Sequence, residues 1–512
     1  MAVARKKEMI LKGLNLNWKS FFVLLLIFSA SVAIRIPNMD RPLSKHHEFV
    51  TAVSLRVLQV WDQEGGAAFN FVPAMNYKGD ANKFINNHAS ASDGMMDAKG
   101  NYHYVSHPPL AYIIPHFVFK ALRVKPSVFG LQVFHLFINF LTAICIYLIV
   151  VSMKSNRARS GLEKTALLAF ILYVFSSAVL WFQMNTYMSD MLVHFFFVAG
   201  VLLGQKCLKF PSSNSWRILF TINLLLMIYT SWLGLFFAFT CFIGGITIWR
   251  EQKGIQFALY SSLTSIMALA LVYFQYSSIN GSEAFLEHLT QRLHVRGSGM
   301  GGRSGGVIET KFSEIVAILV NYGSNYISLI LAVLLLFGLR FKNSLEKSRE
   351  ISDFLAFALA PVLILHLALL NYSGHDFTTL YASCVLSIGL AFLLESYSDQ
   401  LKYGVLTAVS AVSIGAYFYI NPPGDISLSG ERYDVSMKIG KRIKKEAKAN
   451  EVVYLISDTY DPMIVVYAER NIVHIETKPT GVLSKIETKG PYVVFFEKDG
   501  KITHKEHFVG LP

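Results

Sequence analysis

Long apolar runs separated by short charged segments constrain the fold of this chain more than any other feature. A helix that crosses a membrane needs about 20 apolar residues. Only 16% of the residues are charged, whereas a soluble protein carries about a quarter. We therefore predict a polytopic α-helical membrane protein with about 11 transmembrane helices. The predicted spans lie near 20–35, 127–152, 164–182, 188–205, 216–231, 232–249, 255–276, 313–338, 353–370, 377–395 and 403–420.

The distribution of basic residues predicts the orientation of these spans. One set of alternating loops is rich in Lys and Arg, as in 153–164 and 340–350. The short loops of the other set, 183–187 and 371–376 among them, contain neither. The positive-inside rule then places the N-terminus in the cytoplasm, as a retained signal anchor, and the C-terminal region outside. We expect a multi-pass plasma membrane protein.

The C-terminal region returns to soluble character after the last apolar run. Residues 431–450 have the apolar spacing of an amphipathic helix. The runs EVVYLIS, NIVHIE and PYVVFFE predict short strands. We divide the chain into a membrane domain, 1–420, and a small soluble extracytoplasmic α/β domain, 421–512. The net charge of +13 belongs to cytoplasmic loops, and we expect no nucleic-acid partner, because no basic stretch interleaves with aromatics on a soluble module.

The first outer segment, 36–126, is too long for a simple connector. It places SKHHE directly after the first span and HPPL ahead of a second amphipathic stretch. Residues 52–63 have helical apolar spacing and predict a helix along the membrane surface. Pro108 and Pro109 suit the start of a helix. For SKHHE two interpretations stand: a solvated helix start capped by Ser44, or a functional group of titratable residues.

The order and sidedness of these features resemble the GT-C glycosyltransferases, and family 39 among them most closely. That family includes the protein O-mannosyltransferases and the bacterial lipid A aminoarabinose transferases. The resemblance rests on the acidic residue after the first span, the HPPL motif, and the segments NTYMSDMLVHFFF, NYSGHDFTTLYA and EVVYLISDTYDPMIVVYAERN. It covers nearly the whole chain and implies a location in the bacterial inner membrane, because the extra luminal domain of the eukaryotic mannosyltransferases is absent. One position departs from the pattern, since the usual Asp-Glu pair of the first loop reads His47-Glu48 here.

The resemblance implies transfer of a sugar from a polyprenyl-phosphate donor to a glycan, lipid or protein acceptor on the extracytoplasmic side. Such a site needs a base, groups that hold the leaving phosphate, and a groove for the lipid. Glu48 is the expected base, with His47 and Asp40 as alternatives. We expect no required cofactor or metal, although a divalent cation is compatible with the family.

Other charged residues are candidates for contact with the donor or for the cavity wall. An arginine matches phosphate geometry, and charges at a membrane edge are costly without a role. Headgroup anchoring and helix capping are the alternative roles for these residues. The donor-binding candidates are His107, Arg292, Arg296 and His375, with Arg303 in the same glycine-rich stretch as Arg296, and the further candidates are Arg35, Asp190 and Asp376.

Two other functions compete with sugar transfer. A lipid or small-molecule transporter or flippase would place charged residues near mid-span and use paired broken helices. A non-catalytic scaffold would have no use for a long first loop that holds five of the 15 histidines within residues 46–107. If the 36–126 and 277–312 segments form one cavity containing Glu48 and His107, the transferase is favoured.

Overall fold

The structure is a computed structural model. It describes residues 17–44, 46–87, 94–153, 159–250, 254–298, 307–339, 349–424, 432–458, 461–476 and 490–509. The α-helices of this part are α1 (Trp18–Arg35), α2 (Glu48–Glu64), α3 (Leu110–Leu122), α4 (Val128–Ser152), α5 (Arg159–Val174), α6 (Ser177–Phe182), α7 (Ser189–Lys209), α8 (Asn214–Ile228), α9 (Leu233–Ile246), α10 (Gly254–Ser298), α11 (Val307–Leu339), α12 (Arg349–Ala358), α13 (Ala360–Ala368), α14 (Leu370–Ser373), α15 (Ser383–Leu394), α16 (Asp399–Ile420), α17 (Val435–Glu446) and α18 (Pro462–Ala468).

All eleven apolar runs form helices, and the polytopic helical fold is confirmed. Eight helical segments within the described residues are long and apolar enough to cross a membrane. They are Trp18–Asn38, Val128–Ser152, Ser189–Lys209, Gly254–Gly297, Lys311–Leu336, Glu350–Ala368, Asp376–Leu394 and Asp399–Ile420. The other three runs are shorter or interrupted: α8 and α9 have 15 and 14 residues, and the 164–182 run breaks between α5 and α6. The count of eleven spans therefore stays a prediction.

The segment 277–312, predicted to be an outer loop, is helical over much of its length. Helix α10 continues to Ser298 across a break at Asn280 and Gly281, where the glycine adopts a φ of 84°. Beyond this break Phe285, His288 and Arg292 recur at intervals of three and four residues and are buried. That periodicity is helical, and the buried stripe fixes the segment against the protein. Residues 299–306, which include Arg303, lie outside the described residues.

The first outer segment folds into α2, a β-hairpin and α3. The hairpin pairs β1 (Gly94–Met96) with β2 (Tyr102–Tyr104) in antiparallel register, and Asp97 accepts hydrogen bonds from two amides of its turn. Helix α3 begins directly after the proline pair, as predicted. Helix α2 is confirmed as a helix, but both of its faces meet protein, since eleven of its side chains are buried.

The C-terminal region forms a four-stranded sheet flanked by α17 and α18. Its strands are β3 (Val452–Ser457), β4 (Ile472–Glu476), β5 (Tyr492–Lys498) and β6 (Lys501–Phe508), in the spatial order β4-β3-β5-β6. Strands β4 and β5 run parallel to β3, and β6 runs antiparallel to β5. The three predicted strands and the amphipathic helix are therefore confirmed, and β6 completes the sheet.

This sheet shares a hydrophobic core with the first outer segment. Val57 and Trp61 of α2 pack in one cluster with Val465 of α18 and with Val453 and Phe495 of the sheet. Buried amides join the same two parts. The Asn471 side chain accepts from the backbone N–H of Tyr77 at 3.0 Å, and the Asn87 side chain accepts from that of Ile472 at 3.1 Å. Helix α2 therefore lies between the sheet and the membrane helices.

Candidate functional site

Two adjacent histidines with left-handed backbone form the centre of the candidate site. His46 and His47 have φ angles of 45° and 65°, and we call this pair the histidine turn. Both side chains point toward one carboxylate: the Nε2 atoms of His46 and His47 lie 3.2 and 2.7 Å from the Asp376 oxygens. In an extended chain, the side chains of two adjacent residues would point in opposite directions. Consecutive left-handed residues curl the backbone, at a cost of roughly 1–3 kcal/mol each.

Aromatic rings from two other segments fix the histidine turn. The Trp181 indole N–H of α6 donates to the carbonyl of His46 at 3.1 Å, and the Phe182 ring stacks on the His46 ring at 5.6 Å. The Phe377 ring meets the His47 ring edge-on at 5.2 Å, beside Asp376. The short helix α6 exists because the 164–182 run breaks at Phe175 and Ser176. That break therefore brings Trp181 and Phe182 to the histidines.

Glu48, the predicted base, begins α2 and is buried. Its carboxylate lies 3.0 Å from the Arg41 guanidinium and accepts the Ser44 backbone N–H at 2.9 Å. The same guanidinium lies over the Trp181 ring at 5.3 Å and over the Tyr433 ring at 4.6 Å. Ser44 does not cap this helix with its side chain, because His47 occupies the N-cap position and makes no such bond. Glu48 is thus an ion-paired carboxylate, whereas Asp376 is the carboxylate that faces the histidines.

A second group of residues is built around Asp190, at the start of α7. Asp190 is 1% exposed, and its carboxylate accepts hydrogen bonds from the hydroxyls of Tyr372 and Tyr381. Burial, with the Asp190 charge beside it, raises the pKa of Tyr372 well above its usual value, so this hydroxyl stays protonated and donates. The Arg296 guanidinium lies 4.8 Å from the Tyr372 ring. Asp190 therefore orients Tyr372, whose ring contacts the Arg296 guanidinium.

His107 faces the same group from the first outer segment. Its ring centroid lies 5.9 Å from that of Tyr372, and neither ring nitrogen has a hydrogen-bond partner among the described residues. Burial, helped by Arg296 and Arg292 and opposed by Asp190, lowers the pKa of His107 to about 4. The imidazole is therefore neutral near pH 7, and it is a buried polar side chain with its hydrogen-bonding capacity unused by the protein.

His375 connects the two groups. Its ring centroid lies 5.8 Å from that of His47 and 6.1 Å from that of Tyr372. Burial, with the nearby charges of Arg296 and His47, lowers the pKa of His375 to about 4. Seven of the predicted site residues thus lie in one continuous network of contacts: His47, Asp376, His375, Asp190, His107, Arg296 and, through its charge on His107, Arg292.

Two of the other predicted residues lie elsewhere. Arg35 is fully buried at the end of α1 and donates to the carbonyl of Val179 in α6 at 3.2 Å, so it supports the helix that carries Trp181. The Asp40 side chain is exposed, and its backbone N–H donates to the Gln132 side chain at 2.9 Å. Arg35 therefore stabilises the position of α6, and the Asp40 side chain lies outside the network.

The part of the chain that the structure describes holds no group of three or more His, Cys, Asp and Glu side chains arranged to bind a metal ion. The histidine turn presents two imidazoles and one carboxylate, but these are directed at each other. The two imidazoles and the Asp376 carboxylate are therefore polar partners of one another.

The sequence predictions missed four residues that build the site: Arg41, Trp181, Tyr372 and Tyr381. Tyr372 and Tyr381 lie within the NYSGHDFTTLYA segment that carries His375 and Asp376, so their proximity in sequence was a usable signal. The local sequence around Arg41 and Trp181 has no comparable sign, because their partners lie far along the chain.

Solved membrane proteins share this architecture. The structure of ArnT from Cupriavidus metallidurans bound to undecaprenyl phosphate aligns with a TM-score of 0.59 at 11% identity, covering 93% of each chain. The archaeal oligosaccharyltransferase AglB from Archaeoglobus fulgidus, in complex with an inhibitory peptide and a dolichol-phosphate, aligns with a TM-score of 0.52 at 9% identity, covering 93% of this chain and 69% of AglB. A structure of the Archaeoglobus fulgidus enzyme with Zn and sulfate aligns with a TM-score of 0.54 at 11% identity, covering 92% and 68%.

These alignments establish the fold class. The chain has the fold of ArnT and of the archaeal oligosaccharyltransferase, and this confirms the fold that the sequence resemblance implied. Searches of protein-family profiles and of curated protein sequences find no match.

Proposed function

We propose that this protein is a membrane glycosyltransferase that moves a sugar from a polyprenyl-phosphate donor to an acceptor hydroxyl or amine. One observation carries the proposal: a candidate base group and a candidate phosphate group meet within one buried network on a GT-C fold. ArnT was solved with undecaprenyl phosphate and AglB with a dolichol-phosphate, so two relatives by fold bind lipids of the proposed donor class. By the positive-inside argument, the reaction takes place on the extracytoplasmic side.

The phosphate group of the donor is assigned to His107, Arg296 and Arg292. In transfer, the bond between the anomeric carbon and the phosphate oxygen breaks, and charge grows on the departing polyprenyl phosphate. Arginines stabilise that charge with planar, bidentate hydrogen bonds. Neutral His107 adds a donor whose ring nitrogens make no bond within the described protein. The buried Asp190–Tyr372 pair supports Arg296, because the Asp190 carboxylate accepts from the Tyr372 hydroxyl and the Arg296 guanidinium lies over the Tyr372 ring.

The base is assigned to the pair formed by His47 and Asp376. As the acceptor oxygen or nitrogen bonds to the anomeric carbon, its proton passes to this pair, and polyprenyl phosphate leaves with the bonding electrons. Asp376 orients the imidazole and stabilises the imidazolium, as a carboxylate does beside a catalytic histidine. Glu48 is the second candidate base. Its ion pair with Arg41 must open before its carboxylate accepts a proton, which makes it the less favourable choice.

The purified full chain in lipid nanodiscs tests this proposal. The enzyme is incubated with a panel of undecaprenyl- and dolichyl-phosphate pentoses and hexoses, with protein, lipid and glycan acceptors in separate arms. Release of free polyprenyl phosphate is measured by mass spectrometry. We expect release from one donor class, its loss in His47→Gln and Asp376→Asn, and its retention in Asp399→Asn, which alters an exposed carboxylate.

The two candidate bases respond differently in the same assay. If His47→Gln keeps full activity while Glu48→Gln abolishes it in a folded protein, the base is Glu48. Donor that crosses the membrane of a proteoliposome without cleavage would refute transfer and favour a transporter or flippase.

A further inference from the structure

The C-terminal domain contacts the segment that leads into the histidine turn. The Tyr467 hydroxyl of α18 accepts the backbone N–H of Leu43 at 2.8 Å, across 424 residues of sequence. The Tyr433 ring, ahead of α17, lies 4.6 Å from the Arg41 guanidinium. Two tyrosines of the C-terminal domain thus contact residues that stand three to five positions before His46.

A short network carries these contacts to the histidines. Arg41 donates to the Ser44 hydroxyl at 2.9 Å and pairs with Glu48 at 3.0 Å. Glu48 in turn accepts the Ser44 backbone N–H at 2.9 Å. Glu48 directly follows His47 in sequence, so this network joins the residues on both sides of the histidine turn. Tyr467 anchors it from one side and Trp181, which binds the His46 carbonyl, from the other.

The backbone of the histidine turn depends on such anchors. Non-glycine residues in the left-handed region persist only where their surroundings over-determine them. The polar anchors are one indole N–H, one tyrosine hydroxyl and the Arg41–Glu48 pair, and the Phe182 and Phe377 rings pack on the two imidazoles. Without one of them, the two imidazoles are free to leave the geometry in which both face Asp376.

We propose that Tyr467 is a positioning residue for the histidine turn, so that the C-terminal domain completes the candidate catalytic site instead of only covering it. This inference rests on the proposed function for its consequence in catalysis. The C-terminal domain is held against α2 by a hydrophobic core around Val57, Trp61 and Val465, and this core does not include the Tyr467 hydroxyl. Removal of the hydroxyl alone therefore loosens the turn and leaves the domain in place.

The test compares Tyr467→Phe with Tyr492→Phe in the full-length protein. Tyr492 is a half-buried tyrosine of the same domain whose ring packs on Tyr454 and Phe508, away from the first outer segment. Hydrogen exchange followed by mass spectrometry needs no donor and reports on peptides that cover Leu43 and the histidine turn. One lost hydrogen bond predicts exchange faster by roughly 3- to 10-fold there in Tyr467→Phe.

Kinetics give the second readout. We expect kcat for release of polyprenyl phosphate to fall roughly 3- to 10-fold in Tyr467→Phe, with the KM for the donor within about 2-fold of the unmodified protein. Donor binding is expected to stay the same because the contacts described for His107 and Arg296 are with Tyr372 and not with Tyr467. Tyr492→Phe should match the unmodified protein in both measurements.

The outcomes separate this inference from the proposed function. Equal exchange in the two variants overturns the inference, whatever the activity. Faster exchange with an unchanged kcat overturns its catalytic part. Absence of release by the unmodified protein from every donor refutes the proposed function instead, and the exchange data then decide alone whether Tyr467 holds the turn.

Discussion

The contact of both histidines with Asp376 leads to a quantitative prediction for Asp376→Asn. The Asp376 side chain is 15% exposed, and its two oxygens lie 2.7 and 3.2 Å from the Nε2 atoms of His47 and His46. Asparagine keeps the shape but replaces one acceptor oxygen by an N–H₂ donor, which opposes one of the imidazole donors. A hydrogen bond to a charged group contributes about 1.5–3 kcal/mol. At 1.36 kcal/mol for each factor of ten, its loss predicts a kcat lower by about 10- to 150-fold.

The assay for Asp376→Asn is release of polyprenyl phosphate at saturating donor, with Asp399→Asn as the matched control. Asp399 is a carboxylate at the start of α16, 74% exposed, that pairs with Lys402. The donor KM should stay within about 3-fold, because the phosphate is assigned to other residues. A folded Asp376→Asn variant with more than one third of the original kcat would show that this carboxylate does not orient the base.

Three further predictions test the ion pair, the phosphate residues and the buried histidine. Glu48→Gln leaves the Arg41 charge without its carboxylate and should lower the free energy of unfolding by about 3–5 kcal/mol. Arg41→Gln should be much less destabilising when Glu48→Gln is already present. Thermal unfolding of the unmodified protein, the two single variants and the double variant measures this coupling. Arg296→Ala should raise the donor KM by about 10-fold or more, whereas Arg442→Ala, an exposed arginine of α17, should leave it unchanged. His107 has a pKa lowered from 6.5 to about 4, so its neutral form stabilises the folded protein fully above pH 6.5, and up to about 3 kcal/mol is lost as the pH falls to 4. The unfolding temperature of His107→Gln should therefore fall less steeply over this window than that of the unmodified protein, and parallel slopes would contradict the burial argument.

Local patterns in the sequence predicted most of the fold. Apolar length predicted the membrane helices, and alternation predicted β3, β4 and β5, because both signals are carried by neighbouring residues. The segment 277–312, which follows a predicted span and holds the glycine-rich stretch 296–306, predicts an outer loop, but α10 extends through it to Ser298. Its buried residues Phe285, His288 and Arg292 nevertheless recur at helical intervals, and that periodicity was present in the sequence.

The site was predicted less completely than the fold, for a physical reason. Charged residues at membrane edges are costly, and this rule identified Asp190 and Arg35, whereas the position of NYSGHDFTTLYA at the start of a predicted span identified His375 and Asp376. The partners that hold them cannot be read locally: Trp181 binds His46 across 135 residues, and Tyr372 binds Asp190 across 182. The left-handed backbone of His46 and His47 was also beyond prediction, because it results from those distant contacts and not from the preference of histidine.

The hydrogen bond between Leu43 and Tyr467 can form only late in synthesis, after the membrane helices have been made. The two residues are 424 positions apart, and a ribosome adding about 5–20 residues per second needs roughly 20 to 85 s to travel between them. During that interval the membrane helices can insert and pack while the histidine turn lacks its tyrosine. A nascent chain whose membrane helices have already packed then still lacks the contact between Tyr467 and the segment that leads into the histidine turn. Under the proposed function, full activity is therefore expected only after α18 has been made and folded.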